Sequence, residues 1–257
     1  MTAYLDELFS LDGRVAVVTG GSSGIGRAIA RALGRAGAAV VVVARREREL
    51  AGTVAELESY GCRAAYVSAD LGDRTAALAA ADDAAKPFGE PDILVTSAGI
   101  NLRPPLGELS VEDWDRTMAV NLDAPFLFGQ RYGPAMAERG WGRIINLGSQ
   151  QAFRAFGNSG GYGASKAGVV GLSRSQAEAW SGRGVCCNAL VPGFVITPLT
   201  AAVAADPRMV EALAARTMAG RNGLPDDFAG AAVFLASPAA GYVTGQAIFV
   251  DGGFSAR

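Results

Sequence analysis

Apolar residues in this chain fall into short unbroken runs rather than long alternating stripes. Gly13 to Thr19 (GRVAVVT), Ala39 to Ala44, Asp92 to Thr96, Arg143 to Leu147 and Gly184 to Val191 are rich in Val, Ile and Leu. Runs of this length, bounded by glycine or polar residues, predict strands buried on both faces, as in a parallel sheet. Arg63 to Ala69 and Gln246 to Val250 are weaker runs of the same kind. Between them the pattern is helical: Arg27 to Ala36, Ala76 to Phe88, Gly160 to Trp180 and Asp226 to Leu235. Another helix opens at Ser110, where Ser110-x-x-Asp113 is an N-cap signature, and runs through Trp114, Met118 and Phe126. Phe194 to Met218 reads as a mobile helical insert. Such β-α alternation predicts an α/β fold with a doubly wound parallel sheet and helices on both faces. No repeat, low-complexity tract or linker divides it, so one domain is expected over residues 1–257.

Composition narrows the function. Half of the 257 residues are apolar and 19% are charged, enough for a large core and far from a disordered composition. Charge is nearly balanced, 23 Lys+Arg against 25 Asp+Glu, which argues against a nucleic-acid binder. No apolar run reaches transmembrane length, and Met1 to Gly13 lacks a basic segment followed by an apolar one, so a cytoplasmic protein with no membrane partner is expected. Cys62, Cys186 and Cys187 are odd in number, with two adjacent in a strand-like run, and read as small core residues.

The chain contains no histidine. That absence removes Ser-His-Asp and Cys-His catalysis and His-ligated zinc, and no metal is expected. Acid–base chemistry then falls to Tyr, Lys, Asp, Glu or a cofactor. Tyr162 and Lys166 stand four apart on a predicted helix, hence on one face, as a candidate proton-transfer pair. A phenol with pKa near 10 is a poor base at neutral pH, and a fixed cation nearby would lower that value.

Gly20-Gly21-Ser22-Ser23-Gly24-Ile25-Gly26 lies between a strand and a helix. Glycines there let the backbone approach a pyrophosphate while free N–H groups of the helix face it. The spacing is TGxxxGxG, with Thr19, Gly20, Gly24 and Gly26 in the fixed places. The second strand ends in Ala44-Arg45-Arg46, without the acidic residue that reads ribose hydroxyls in NAD sites. Arg45 and Arg46 suit a 2′-phosphate, pointing to NADP(H) with NAD(H) as the alternative; both also read as solvated residues opening the next helix. Thr19-Gly20, Ala44-Arg45, Asp70, Thr96 to Gly99, Ser149 and Pro192-Gly193 all sit at predicted carboxyl ends of strands, where such sheets bind ligands.

With these motifs in order, the chain resembles the single-domain short-chain dehydrogenases/reductases from about Leu11 to Gly253. The likeness rests on TGGSSGIG at Thr19 to Gly26, Asp70-Leu71, Ala98-Gly99, Asn121 in VNL, Ser149, YGASK and Pro192-Gly193. It implies a Rossmann-type sheet of seven strands in the order 3-2-1-4-5-6-7. It also implies that Tyr162 transfers the proton and Ser149 hydrogen-bonds the substrate oxygen. Lys166 would bind the nicotinamide ribose and depress the Tyr162 pKa, and Asn121 would hold a relay water. Val195 and Thr197 would hold the carboxamide, and Asp70 the adenine. With Gly20, Ser22, Ser23, Gly24, Ile25, Gly26, Leu71, Ala98, Gly99, Pro192 and Gly193, these form the implied cofactor site. Thr96-Ser97 replaces the family's usual Asn-Asn, leaving the strand-end contacts open.

The reaction implied is hydride exchange between NADP(H) and a secondary alcohol or ketone. The segments from Arg221 to Pro225 and from Val250 to Arg257 are similar to sugar-acid dehydrogenases such as gluconate 5-dehydrogenases. Arg103 and Arg154, with Gln151, are then candidate substrate residues, the arginines as carboxylate clamps; surface or subunit-contact roles suit both arginines equally. Alternatives are an NAD(H)-dependent polyol dehydrogenase, a 3-oxoacyl-thioester reductase and a non-catalytic nucleotide-binding regulator. The resemblance also implies a homotetramer.

Overall fold

Val-rich runs become the interior strands of one parallel sheet. The computed structural model describes residues 3–257; Met1 and Thr2, the start of the stretch read above for a leader, lie outside the described residues. The strands are β1 (Val15–Thr19), β2 (Ala39–Ala44), β3 (Ala64–Ser68), β4 (Ile93–Thr96), β5 (Gly142–Leu147), β6 (Val185–Pro192) and β7 (Ala247–Val250). They pair in parallel in the order β3-β2-β1-β4-β5-β6-β7, the Rossmann-type sheet expected. Every residue of β1, β4, β5 and β6 is buried, whereas the edge strands β3 and β7 keep solvent-facing positions. Unbroken hydrophobicity therefore marks the centre of the sheet, and broken hydrophobicity its margins.

The helices are α1 (Ala3–Phe9), α2 (Gly24–Arg35), α3 (Glu47–Ser59), α4 (Arg74–Ala84), α5 (Val111–Met118), α6 (Ala124–Glu138), α7 (Gly160–Trp180), α8 (Ala201–Ala204), α9 (Pro207–Ala215) and α10 (Ala229–Ala236). Because side chains alternate along a strand, successive residues of one run feed opposite cores. Ala16, Val18, Val40 and Val42 pack with Ile29, Leu33, Leu50, Phe228 and Leu235 beneath α2, α3 and α10. Val17, Val41 and Val43 pack with Ala77, Phe128, Tyr132, Met136 and Trp180 beneath α4, α6 and α7.

Several boundaries differ from the sequence pattern. Helix α4 starts at Arg74, where Asp73 caps it by accepting from the Ala76 N–H at 2.8 Å, and it stops at Ala84. Pro225–Phe228 forms a 3-10 turn, so α10 starts only at Ala229. The insert is two short helices, α8 and α9, divided where Asp206 caps α9 through the Arg208 and Met209 amides. Helix α1 is an element the pattern did not show. Between α5 and α6 the helix widens into a π-turn, Ala119–Asp123, which carries Asn121. Such turns cluster at functional sites. Cys186 and Cys187 are buried core thiols, Cys62 is half-buried, and all three are free.

Candidate active site

The carboxyl ends of the strands enclose a cavity of about 530 Å³. Its floor is the glycine turn after β1. Gly20 has φ +71°, and a Cβ there would lie 2.6 Å from the Ala98 nitrogen, so the ends of β1 and β4 meet backbone to backbone. The Thr19 Oγ1 secures the contact by accepting from the Ala98 N–H at 3.3 Å. Ser23, at the N-cap of α2, makes no side-chain capping bond, so the first amides of α2 remain open. Open amides at a helix start are an anion cradle. Gly20, Ser22, Ser23, Gly24, Ile25 and Gly26 all line the cavity.

The rim beside β2 is cationic. Arg45 and Arg46 both line the cavity, and no carboxylate stands at the end of β2. Arg45 lies 3.8 Å from the Asp70 carboxylate, while Arg46 donates to the Ser23 Oγ at 3.1 Å and pairs with Glu49. These pairs are about half exposed, so both guanidinium groups can turn to a phosphate at little electrostatic cost. Asp70, Leu71, Ala98, Gly99, Pro192, Gly193, Val195 and Thr197, the rest of the expected cofactor set, line the same cavity. The Thr197 position is fixed by Thr200, whose Oγ1 accepts from the Thr197 amide at 3.0 Å and donates to the Val195 carbonyl at 2.6 Å.

Ser149, Tyr162 and Lys166 meet at the far end of the cavity, all three buried. Strand β5 delivers Ser149; the first two turns of α7 deliver Tyr162 and Lys166, with Lys166 Nζ 5.9 Å from the phenol ring centroid. Lys166 donates to the Leu147 carbonyl at 2.6 Å, and burial pushes its ammonium down to about 8. Burial pushes the Tyr162 phenol up, opposed by the neighbouring Ser149 hydroxyl and by the charge of Arg103. The lowering of Tyr162 by Lys166 expected above is therefore not found in the protein alone. Desolvation dominates both groups, and the ammonium is directed at a backbone carbonyl.

Asn121 is fully buried behind this group rather than in the cavity wall. Its Oδ1 accepts from the Ile100 N–H and its Nδ2 donates to the Ile100 carbonyl, both at 2.9 Å; Nδ2 also donates to the Ser165 hydroxyl at 3.1 Å. The carboxamide thus holds the loop after β4 against α7.

The candidate substrate residues are placed less centrally. Arg103 donates to the Gly157 carbonyl at 2.6 Å, outside the cavity wall but within electrostatic reach of Tyr162. Gln151 Oε1 accepts from the Ser159 hydroxyl at 2.6 Å. Arg154 turns away, donating to the Ser255 carbonyl in the C-terminal tail; the structure does not bring it to the cavity. Sequence reasoning missed Ile100, Asn101, Leu199 and Thr200, which line the cavity. It also missed a signal for Lys166: of 23 basic residues only Lys86 and Lys166 are lysines. A buried site that needs a movable pKa selects an ammonium over a guanidinium.

At positions 96 and 97 the hydroxyls take separate tasks. Thr96 Oγ1 donates to Asn146 Oδ1 at 2.7 Å, and Asn146 Nδ2 donates to Ser173 and Gln176 on α7, a satisfied buried network. Ser97 faces the cavity. Among the described residues no cluster of His, Cys, Asp or Glu is placed to hold a metal, and no helix is long and apolar enough to cross a membrane.

A glycine cradle, a cationic rim and a Ser-Tyr-Lys group in one cavity define a nicotinamide-dinucleotide oxidoreductase. A family model described as enoyl-(acyl carrier protein) reductase matches residues 20–255. D-threitol dehydrogenase of Mycolicibacterium smegmatis is 43% identical over 251 residues, 97% of this chain and 95% of that one. A structure from Beutenbergia cavernae, described as an NAD(P) dependent gluconate 5-dehydrogenase with NADP bound at low occupancy, is 45% identical with TM-score 0.93, covering 97% of this chain and 99% of that chain. A gluconate 5-dehydrogenase from Burkholderia cenocepacia in complex with NADP and tartrate is 38% identical with TM-score 0.93, covering 98% and 99%. The chain belongs to the short-chain dehydrogenase/reductase family.

Proposed function

We propose that the protein interconverts a secondary alcohol and a ketone on a hydroxylated, carboxylate-bearing small molecule of the sugar-acid class, using NADP(H). The observation that carries the reaction is the convergence of Ser149, Tyr162 and Lys166 beside the glycine cradle. The residues fit the cofactor: the Gly20 turn packs backbone to backbone on Ala98 at the cavity floor, the α2 amides are open, and two guanidinium groups rim the β2 end. When bound, the nicotinamide supplies or takes up the hydride.

The chain does the rest. Ser149 donates a hydrogen bond to the substrate oxygen and fixes it beside Tyr162. Tyr162 gives that oxygen a proton in reduction and takes it in alcohol oxidation. Lys166 would hold the nicotinamide ribose, and it keeps a buried ammonium 5.9 Å from the phenol ring. Burial of the group keeps competing water out. Arg45 and Arg46 select the 2′-phosphate, supported by the missing acid at Ala44 and by the NADP described in the Beutenbergia and Burkholderia relatives.

The acid class rests on Arg103 near Tyr162 and on tartrate, a hydroxylated dicarboxylate, in the Burkholderia relative. A second reading, an uncharged polyol, is favoured by the D-threitol relative. Turnover of NADP+ with gluconate, threitol and a cyclic alcohol, and of NADPH with a β-ketoester, separates them. Gluconate leading by about tenfold or more in kcat/KM supports the acid class, threitol leading supports the polyol, and no turnover on any removes both substrate readings.

The proposal includes a homotetramer in the cytoplasm. Exposed Val111, Trp114 and Phe126 along α5–α6, and Tyr242 and Phe249 around β7, support association. Light scattering should give four chains per particle.

A further inference from the structure

The segment after β7 folds back on the body of the protein through one buried ring, Phe254. After β7, Asp251 organises a reversal: its carboxylate accepts from the Gly253 N–H at 3.0 Å and from the Ser255 N–H at 2.8 Å. Gly252 and Gly253 have φ of +63° and +82°, a pair of left-handed residues that only glycines adopt without strain. This turn delivers Phe254, which is 3% exposed. A ring buried to this degree is pinned by the structure around it.

Two separate segments, each continuous with cavity-lining residues, do the pinning. The first is the loop between Ser149 and Tyr162. Phe156 stacks on Phe254 with ring centroids 6.0 Å apart and planes 23° apart, Arg154 donates to the Ser255 carbonyl, and Phe153 lies 5.0 Å from Phe249 at the end of β7. The second is the insert after β6. The Arg216 guanidinium lies 4.3 Å from the Phe254 ring, Arg257 donates to the Ala215 carbonyl at 2.9 Å, and the Ala219 N–H donates to the Gly252 carbonyl at 3.0 Å. The insert begins with Val195, Thr197, Leu199 and Thr200, which line the cavity; the loop begins at Ser149 and ends at Tyr162.

We infer that Phe254 is a positioning residue for the known chemistry: by tying the 150–159 loop and the 201–215 helices to one tail, it sets the gap in which the substrate is held. Arg154, a substrate candidate from sequence, is a strut of this brace. What the gap holds rests on the oxidoreductase reading above; that the tail fixes its width does not. The insert meets the glycine cradle at Thr197, packed against Gly24, ahead of the 201–215 helices that the tail holds, so loosening the tail acts on the substrate gap before dinucleotide binding.

Two readouts on the full chain test this. In Phe254→Ala, amide hydrogen exchange should speed up by about fivefold or more in both 150–159 and 201–215, with the central strands unchanged. The KM for the preferred substrate should rise about tenfold, with kcat within about threefold and NADPH affinity, by fluorescence, within about twofold. Phe254→Tyr, which keeps the ring, should restore both. Faster exchange confined to the tail, or KM and NADPH affinity deteriorating together, overturns the inference. If the wild type turns over no substrate, the functional reading fails while exchange still decides the brace. If Phe254→Ala does not fold, Arg154→Ala should speed exchange only in 150–159 and Arg257→Ala only in 201–215; no response in either wall overturns the inference.

Discussion

The dinucleotide half and the substrate half of the cavity are built in different ways. The first is mostly backbone: the Gly20 turn against Ala98, the open amides of α2, and strand ends brought level by a parallel register that pairs Thr19 with both Val43 and Thr96. The second is supported from outside the cavity wall by side chains reaching across the sequence: Arg103 to Gly157, Arg154 to Ser255, Phe156 to Phe254. A backbone cradle is rigid and general, because every dinucleotide presents the same pyrophosphate. A wall of long-range side-chain contacts changes with a few substitutions, which is how one frame serves many substrates. Ser149, Tyr162 and Lys166 stand at the seam and should be separable from both halves.

The largest effect should come at that seam. Ser149→Ala removes a donor aimed at the substrate oxygen and should lower kcat by about 100- to 1000-fold. Cofactor affinity by fluorescence titration should move less than twofold; an equal loss of affinity would mean the seam is not separable. Next, Arg45→Asp should cut kcat/KM for NADP+ relative to NAD+ by about 100-fold, near the worth of a charge-assisted phosphate contact. An unchanged ratio would move 2′-phosphate recognition to Arg46. On the substrate side, Arg103→Ala should raise KM about tenfold for a carboxylate substrate and less than twofold for a neutral ketone. Equal rises would leave Arg103 as a brace for Gly157 alone.

The smallest effect concerns stability. Lys166 is pushed down to about 8 by burial, against 10.5 unperturbed. Between those values the unfolded chain binds more protons than the folded one, so stability gains as pH rises through the window. Below pH 8 the full cost of burying the charge remains; above 10.5 it is gone. Urea unfolding of wild type and Lys166→Met at pH 7.5 and pH 10 should show the wild type gaining about 2 kcal/mol on the variant. A pH-independent gap would mean that the buried ammonium titrates normally.

The same contrast explains what the amino-acid sequence discloses. The β-α alternation, the glycine turn, Arg45-Arg46 and the Tyr162–Lys166 spacing are local patterns, and each appears in the structure where the pattern places it. The commitments of Arg154 to Ser255 and of Arg103 to Gly157 join residues 101 and 54 positions apart, for which no local signal exists. Asn121 was legible as a residue but not as a contact, since its clamp on Ile100 depends on a widened helical turn. The raised phenol of Tyr162 was unreadable for a related reason. A four-residue spacing reports proximity to a cation but not the desolvation that outweighs it.

The central claim is that Tyr162 moves the proton while the glycine cradle and cationic rim hold the cofactor independently. Tyr162→Phe, compared with wild type in steady-state turnover and in NADPH titration, tests it most directly. Turnover falling by about 1000-fold or more, with NADPH affinity within about threefold, is the result predicted. Turnover retained in the variant would contradict it.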